Sequence, residues 1–383
     1  MSFVRAGHDE VDGARDGINV PKRDRLERHK REPSEMKIST RAKTIGIDLA
    51  KNVFAIHGID EHGNVAVRRE LRRAQMLALF AKLEPCLIGM EASAGAHYWA
   101  RELRKFGHDV RLMPASYVKA YVKRGKNDAR DAEAICEAVT RPTMRFVPIK
   151  NEEQQSVLVL HRVRDLLVRQ RTQTCNTLRA LCGEFGVVAA KGWQGIASLK
   201  GVVAGEADHR IPALTKVALR PLAGHIEELS KQIAQLDREI LLWHRAHETS
   251  LRLATIPGIG PITATALIAS IGDASRFAKG RDLSAWIGLT PQSRSSGGKE
   301  RLGSISKQGD RYLRRLLVQG AQSLRRARTD KPQNHAWAMR VEARRGAKVA
   351  AVAQANKTAR IAWSIMTCGG VYRRPAENQA SPA

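Results

Sequence analysis

From residue 43 the apolar positions fall into short runs with the spacing of strands. TIGIDLA carries Asp48 at the end of its apolar stretch, VFAIHGID spans Val53 to Asp60, and Asn64 to Leu71 forms a third run. The steps between them, Lys51-Asn52 and Gly63-Asn64, are short and turn-forming, so these three strands are expected to pair as hairpins. Strands and helices then alternate: a helix from Gln75 to Leu83, the strand CLIGM closing on Glu91, a helix around Tyr98 to Phe106, the strand DVRLM, and a helical tract beginning near Pro114. Hairpin-linked strands followed by strand–helix alternation predict an α/β layer on a mixed sheet.

Beyond Pro148 the period becomes helical. Leu160, Val163, Leu167, Gln170, Thr174, Thr177 and Leu181 follow a three-four spacing with a polar middle, and the glycine-containing stretch Gly183 to Gly205 interrupts it. A cleaner seam follows at Leu222, Ile226, Leu229, Ile233, Leu236, Ile240 and Trp243. Steps of four and three are the coiled-coil period, so a helical coiled-coil arm is expected, packed either within the chain or against a second copy. The segment Thr255 to Phe277 then places the turn Pro257-Gly258-Ile259-Gly260-Pro261 before an apolar helix. That pattern fits a helix-hairpin-helix-like phosphate contact through Gly258 and Gly260, or a plain turn between core helices.

Charge narrows the class of partner. The 383 residues carry 65 Lys and Arg against 38 Asp and Glu, a formal net charge of +27. Such an excess points to a polyanion, with nucleic acid as the first candidate. No apolar run is long enough to span a bilayer, so no membrane is expected. The N-terminal residues are densely charged, so no secretory signal is expected. Five cysteines without a C-x-x-C pair argue against a zinc knuckle or disulfide framework and for the reducing cytoplasm. Residues 1–42 mix both signs of charge without apolar periodicity and are expected to be disordered, as is the tail at 375–383. Met36, just before the first ordered element, is the expected natural start.

The candidate chemistry lies in two places. Asp48 and Glu91 end strands, and Asp128 and Asp131 share one helix face in KNDARDAEAI. Carboxylates so placed are able to converge on hard cations such as Mg²⁺, which prefers oxygen ligands and phosphate-bearing substrates. The second place is Thr290 to Arg315, TPQSRSSGGKERLGSISKQGDRYLRR, expected to open as a loop from Pro291. Ser295 and Ser296 precede Gly297-Gly298, and Arg294, Lys299 and Arg301 surround them with positive charge suited to phosphate. The following segment reads as a basic helix through Arg311, Arg314 and Arg315. A phosphate-gripping loop without chemistry fits the same residues.

The order TIGIDLAKNVFAIHGID, IGMEASAG, KNDARDAEAI resembles the ribonuclease H/RuvC-like nuclease domain with a D-E-D-D metal set. Together with the serine loop, the chain resembles DEDD transposases of the insertion-sequence "one-ten" family, the bridge-RNA-guided serine recombinases. That resemblance implies Asp48, Glu91, Asp128 and Asp131 as catalytic metal ligands and Ser296 as nucleophile, with Ser295 as the alternative. It also implies DNA as substrate, a guide RNA as partner, and a homodimer or tetramer assembled through the arm. The expected domains are a RuvC-like unit at 43–148, the arm at 149–247 and a mostly α serine transposase domain at 248–374. The competing function is a RuvC-like metal nuclease or junction resolvase with no covalent intermediate, or a non-enzymatic DNA-binding protein.

Overall fold

The computed structural model describes residues 42–123, 127–293, 301–326 and 336–373. Residues 1–41 of the expected disordered leader, Met36 among them, and the tail lie outside the described residues, whereas Ala42 at the leader's end is buried in the core. The chain starts with three strands, β1 (Thr44–Asp48), β2 (Val53–Ile59) and β3 (Val65–Arg72). There follow α1 (Met76–Phe80), β4 (Leu87–Glu91), α2 (Ala96–Lys105), β5 (Asp109–Met113), α3 (Ala115–Val118) and α4 (Asp128–Val139). The sheet order is β3-β2-β1-β4-β5. β1–β2 and β2–β3 are antiparallel hairpins, while β4 and β5 run parallel to β1 after helical crossovers. Short turns permit only antiparallel pairing, and a helix is the usual length of chain that returns a strand parallel. This is the mixed sheet that the pattern predicts.

β1 is the central strand, which explains its run of buried residues from Thr44 to Ile47. One face packs on α1 and α2 through Phe54, Leu71, Phe80, Trp99 and Leu103. Across the other face lies α4, with Ile135, Ala138 and Val139 packed against Met113 and Val118. Two glycines set how close α4 comes. A Cβ on Gly46 would stand 2.2 Å from the Ala132 carbonyl oxygen and 2.4 Å from the Cys136 nitrogen, and one on Gly89 would stand 2.8 Å from Val139 Cβ. Helix backbone therefore rests directly on strand backbone, a contact any side chain at 46 would prevent.

Next come α5 (Glu152–Gly183), α6 (Trp193–Ala204) and α7 (Ala213–Ala246). Asn151 starts α5 with a capping box, accepting from Gln154 N at 2.7 Å while Gln154 Oε1 accepts from Asn151 N. The stretch read as a glycine-rich interruption contains α6. Its Ile196, Leu199 and Val203 recur at helical spacing and pack against Cys175 and Leu178 of α5 and Leu219 and Ile226 of α7. The glycines break the pattern only at the ends, where Gly186 and Gly192 have positive φ. In the seam, Ile226, Leu229, Ile233 and Ile240 are buried, while Leu222, Leu236 and Trp243 are half-buried. α7 packs on α5 of the same chain, and Arg164 of α5 is ion-paired with Asp237 of α7.

The remaining elements are α8 (Glu248–Ala254), α9 (Pro261–Ile271), α10 (Gly280–Ile287), β6 (Pro291–Ser293), β7 (Leu302–Ile305), α11 (Arg311–Arg326), α12 (Ala336–Arg345) and α13 (Ala347–Cys368). α9 is apolar all round and sits inside a core with Leu283, Ile287, Leu313, Leu317 and Ala359. Where a loop was expected from Pro291, β6 and β7 pair antiparallel, with Pro291 opposite Ile305 and Ser293 opposite Leu302. His161 of α5 ties this core to the long helices. Its Nδ1 meets Tyr312 Oη at 3.0 Å, and its Nε2 meets Thr265 Oγ1 at 2.9 Å. Burial, then the nearby Arg164, depresses its pKa to about 4, so it is a neutral structural link at physiological pH. The five cysteines are free, four of them buried. No helix among the described residues is long and apolar enough to cross a membrane.

Candidate active site

Asp48 and Glu91 reach the same end of the sheet because β1 and β4 are parallel and in register. The paired residues Ile47 and Met90 are each followed by one of the two carboxylates. Adjacent strands lie about 4.8 Å apart, so the two acids start as neighbours. α4 begins beside them. Asn127 caps it by accepting from Ala129 N at 3.0 Å, and Asp128 and Asp131 occupy its first turn. Acidic residues there are favoured by the partial positive charge of the exposed backbone N–H groups. Because Gly46 lets α4 rest on β1, this turn comes down beside the end of the strand. Carboxylate oxygens of Asp48, Asp128 and Asp131 all lie within 4.8 Å of one another. Glu91 lies outside that closest group but interacts electrostatically with Asp48 and Asp131.

Burial, reinforced by neighbouring negative charge, raises both strand-end carboxyls above the ordinary range. For Asp48 the causes are burial, then the charges of Asp131 and Asp128, partly offset by a hydrogen bond from the Leu49 backbone. For Glu91 they are burial, then Asp48 and Asp131. Mg²⁺ binds oxygen at about 2.0–2.1 Å, which puts two ligands of one ion at most about 4.2 Å apart. Small side-chain rotations would bring oxygens of Asp48, Asp128 and Asp131, now within 4.8 Å of one another, to the spacing that one such cation needs. An all-oxygen donor set with excess negative charge suits a hard divalent cation rather than zinc or copper.

The serine loop stands apart from this description. Arg294, Ser295, Ser296 and Lys299 lie outside the described residues, and β6 and β7 flank them in the chain. Arg301 is exposed at the start of the returning strand, and Arg311 is exposed at the start of α11. Arg314 and Arg315 of that helix are engaged within the protein. Arg314 donates to the carbonyls of Ile287 (2.7 Å) and Gln308 (2.8 Å). Arg315 is ion-paired with Asp165 and lies 5.2 Å from the centre of the Tyr312 ring. Gly258 has φ +86°, and its Cβ position would meet Leu324 at 2.9 Å and the Gly320 carbonyl at 3.0 Å. Its conformation therefore serves close packing on α11. Gly260 is exposed and caps α9.

Other residues of functional interest gave no signal along the chain. The His161 link joins positions more than a hundred residues apart, which no local spacing reveals. Trp337, Trp363 and Tyr372 share one groove with Arg345, Lys348, Lys357 and Arg360. The aromatic residues of that groove follow no recognisable period along the chain.

A DEDD transposase model matches residues 45–185, and a model described as Transposase IS116/IS110/IS902 family matches residues 250–336. The first covers the acidic cluster and the second the serine loop. A Pseudomonas aeruginosa protein bearing the name "Probable family 20 transposase" is 49% identical over 86% of this chain and 98% of its own length. A transposase for insertion sequence element IS1328 of Yersinia enterocolitica is 42% identical over 86% of this chain and 98% of its own. A transposase for insertion sequence element IS1111A of Coxiella burnetii is 40% identical over 86% of this chain and 91% of its own.

Proposed function

This chain belongs to the IS116/IS110/IS902 family of insertion-sequence transposases, and we propose that it cuts and rejoins DNA by way of a serine-linked phosphodiester. The observation that carries the reading is the convergence of Asp48, Asp128 and Asp131 within 4.8 Å, with Glu91 on the neighbouring strand. Those four residues would hold Mg²⁺, which when bound supplies charge stabilisation to the phosphate and lowers the pKa of an attacking hydroxyl. Ser296, or Ser295 beside it, is the nucleophile. Its Oγ gives up its proton and forms a bond to phosphorus as the strand's P–O bond breaks, and the departing strand oxygen takes up a proton to become a hydroxyl, so the exchange is proton-neutral. Rejoining is the reverse: a strand hydroxyl attacks the serine phosphodiester and frees the serine. Arg294, Lys299 and Arg301 offset the negative charge on the phosphate. Arg311 and Gly260, both exposed, belong to the DNA-facing side of the C-terminal region, and Arg314, Arg315 and Gly258 support it from within through the packing described above.

Neither half is self-sufficient, since the acids include no nucleophile and the serine loop includes no histidine as a local base. The working site is therefore composite, with the serine loop docked on the acids across a domain or subunit boundary; in a dimer or tetramer the loop of one subunit meets the acids of another. The domain limits at 43–148, 149–247 and 248–374, and selection of the target by a guide RNA, belong to the same proposal. The test is cleavage of a DNA carrying the element's end. It should require a divalent cation and be abolished by Ser296→Ala or Ser295→Ala and by Asp48→Asn. Full cleavage in chelator would contradict it.

A further inference from the structure

A groove of about 1290 Å³ runs between the β6–β7 hairpin and the helices α12 and α13. It exceeds the roughly 300–1,000 Å³ usual for small-molecule sites and suits a chain-like ligand. One wall is the hairpin, through Pro291, Leu302, Ser304 and Ile305, the strands that bracket the serine loop in sequence. The facing wall carries Arg345, Lys348, Lys357 and Arg360, with Arg373 at one end, and no Asp or Glu is among the described residues that line it. Such one-sided charge matches a polyanion.

The floor and rim are aromatic. Trp363 donates its indole N–H to the carbonyls of Ala274 (3.2 Å) and Phe277 (3.1 Å), so the ring is fixed as part of the wall. Trp337 is 38% exposed, with Lys357 Nζ 4.9 Å from its ring centre, so a π face and a cation are presented together. Tyr372 lines the same space. Paired bases have their faces covered by their neighbours, whereas an unpaired base exposes its face to stacking. Aromatic rings set among cations in a groove are the arrangement that holds single strands.

We propose that this groove binds single-stranded DNA, the unpaired strand next to the cleaved phosphodiester, by stacking bases on Trp337 and Tyr372 and pairing phosphates with Lys348, Lys357 and Arg360. The inference rests on the reading that this chain cuts DNA at the serine loop. DNA is the occupant because the hairpin that forms one wall is the segment past which the cut strand runs.

The experiment measures binding alone, with the full chain carrying Asp48→Asn so that no probe is cut. The outcome is then independent of whether the serine chemistry is correct. The probes are a labelled single-stranded oligodeoxynucleotide, its duplex, and RNA of the same sequence. Trp337→Ala should raise the single-strand DNA Kd by about 5- to 100-fold and change the duplex Kd by less than about twofold, the range expected for loss of one stacked base. Lys348→Gln should reduce the magnitude of the log–log salt slope for single-stranded DNA by about 0.7. If a melting curve shows Trp337→Ala misfolded, the Lys348→Gln slope decides alone. Equal weakening of duplex and single strand, no weakening of either, an unchanged slope, or a loss confined to RNA would each overturn the proposal.

Discussion

Replacing Asp48 by asparagine should make the cation-free protein more heat-stable while abolishing DNA cleavage. The substitution keeps size and removes one charge from a group whose oxygens lie within 4.8 Å of those of Asp128 and Asp131. Two like charges at that distance repel by roughly 3 kcal/mol at an effective dielectric near 20, and by under about 1 kcal/mol in bulk water. Asp48 is half-buried and Asp128 exposed, so solvent screening brings each pair to about 1 kcal/mol. Removing two pairs gains roughly 2 kcal/mol, a rise in Tm of about 4–8 °C for a cooperative unit of 150–250 residues. The pH dependence has a definite sign. Burial and the neighbouring aspartates raise the Asp48 pKa, so its ionisation opposes folding above the raised value and has no effect below the unfolded value near 3.9. The gain should be full at alkaline pH, shrink on acidification and vanish below about pH 4. Saturating Mg²⁺ should reverse the ranking, because it binds the folded parent more tightly than the variant. Scanning calorimetry in chelator and in Mg²⁺, across pH, reads all of this. A variant that melts below the parent in chelator at alkaline pH would refute the crowding argument. Retained cleavage would refute the metal assignment.

Three further outcomes follow from the packing and the composite site. Gly46→Ala places a methyl 2.2 Å from the Ala132 carbonyl, so it should cost about 1–3 kcal/mol or more in denaturant melts and weaken Mg²⁺ binding by lifting α4 from β1. Ile233→Asp puts a charge into the buried α5–α7 contact and should lower stability by about 3 kcal/mol or more, whether or not subunits also meet there. Mixing Ser296→Ala with Asp48→Asn chains, each inactive alone, should restore part of the cleavage, whereas no recovery despite demonstrated subunit exchange would place each site within one chain.

Much of the N-terminal fold was legible because its signals are local. Short connections, 49–52 and 60–64, dictate hairpins, and strands ending in Asp48 and Glu91 announce themselves by an acid closing an apolar run. Register did the rest: parallel β1 and β4 bring those acids to one end of the sheet. What no local signal carried was the approach of α4, set by the contact of Gly46 with the helix backbone. α6 escaped notice because flanking glycines masked a short apolar period. β6 and β7 are too brief, at three and four residues, to show alternation. The segment read as a basic helix, yet Arg314 and Arg315 give their hydrogen bonds to the nearby Gln308 carbonyl and to Ile287 and Asp165, which lie much farther away in sequence. Charge counted along a chain does not reveal which cations face inward.

The most direct measurement is the covalent state of the cut DNA. The parent protein is incubated with Mg²⁺ and a labelled DNA carrying the element's end, denatured, digested and analysed by mass spectrometry. A nucleotide should be found attached to the peptide containing Ser295 and Ser296, dependent on divalent cation and lost in Asp48→Asn. Efficient strand cleavage with free DNA ends and no denaturant-resistant adduct would contradict the serine mechanism and leave a metal nuclease in its place.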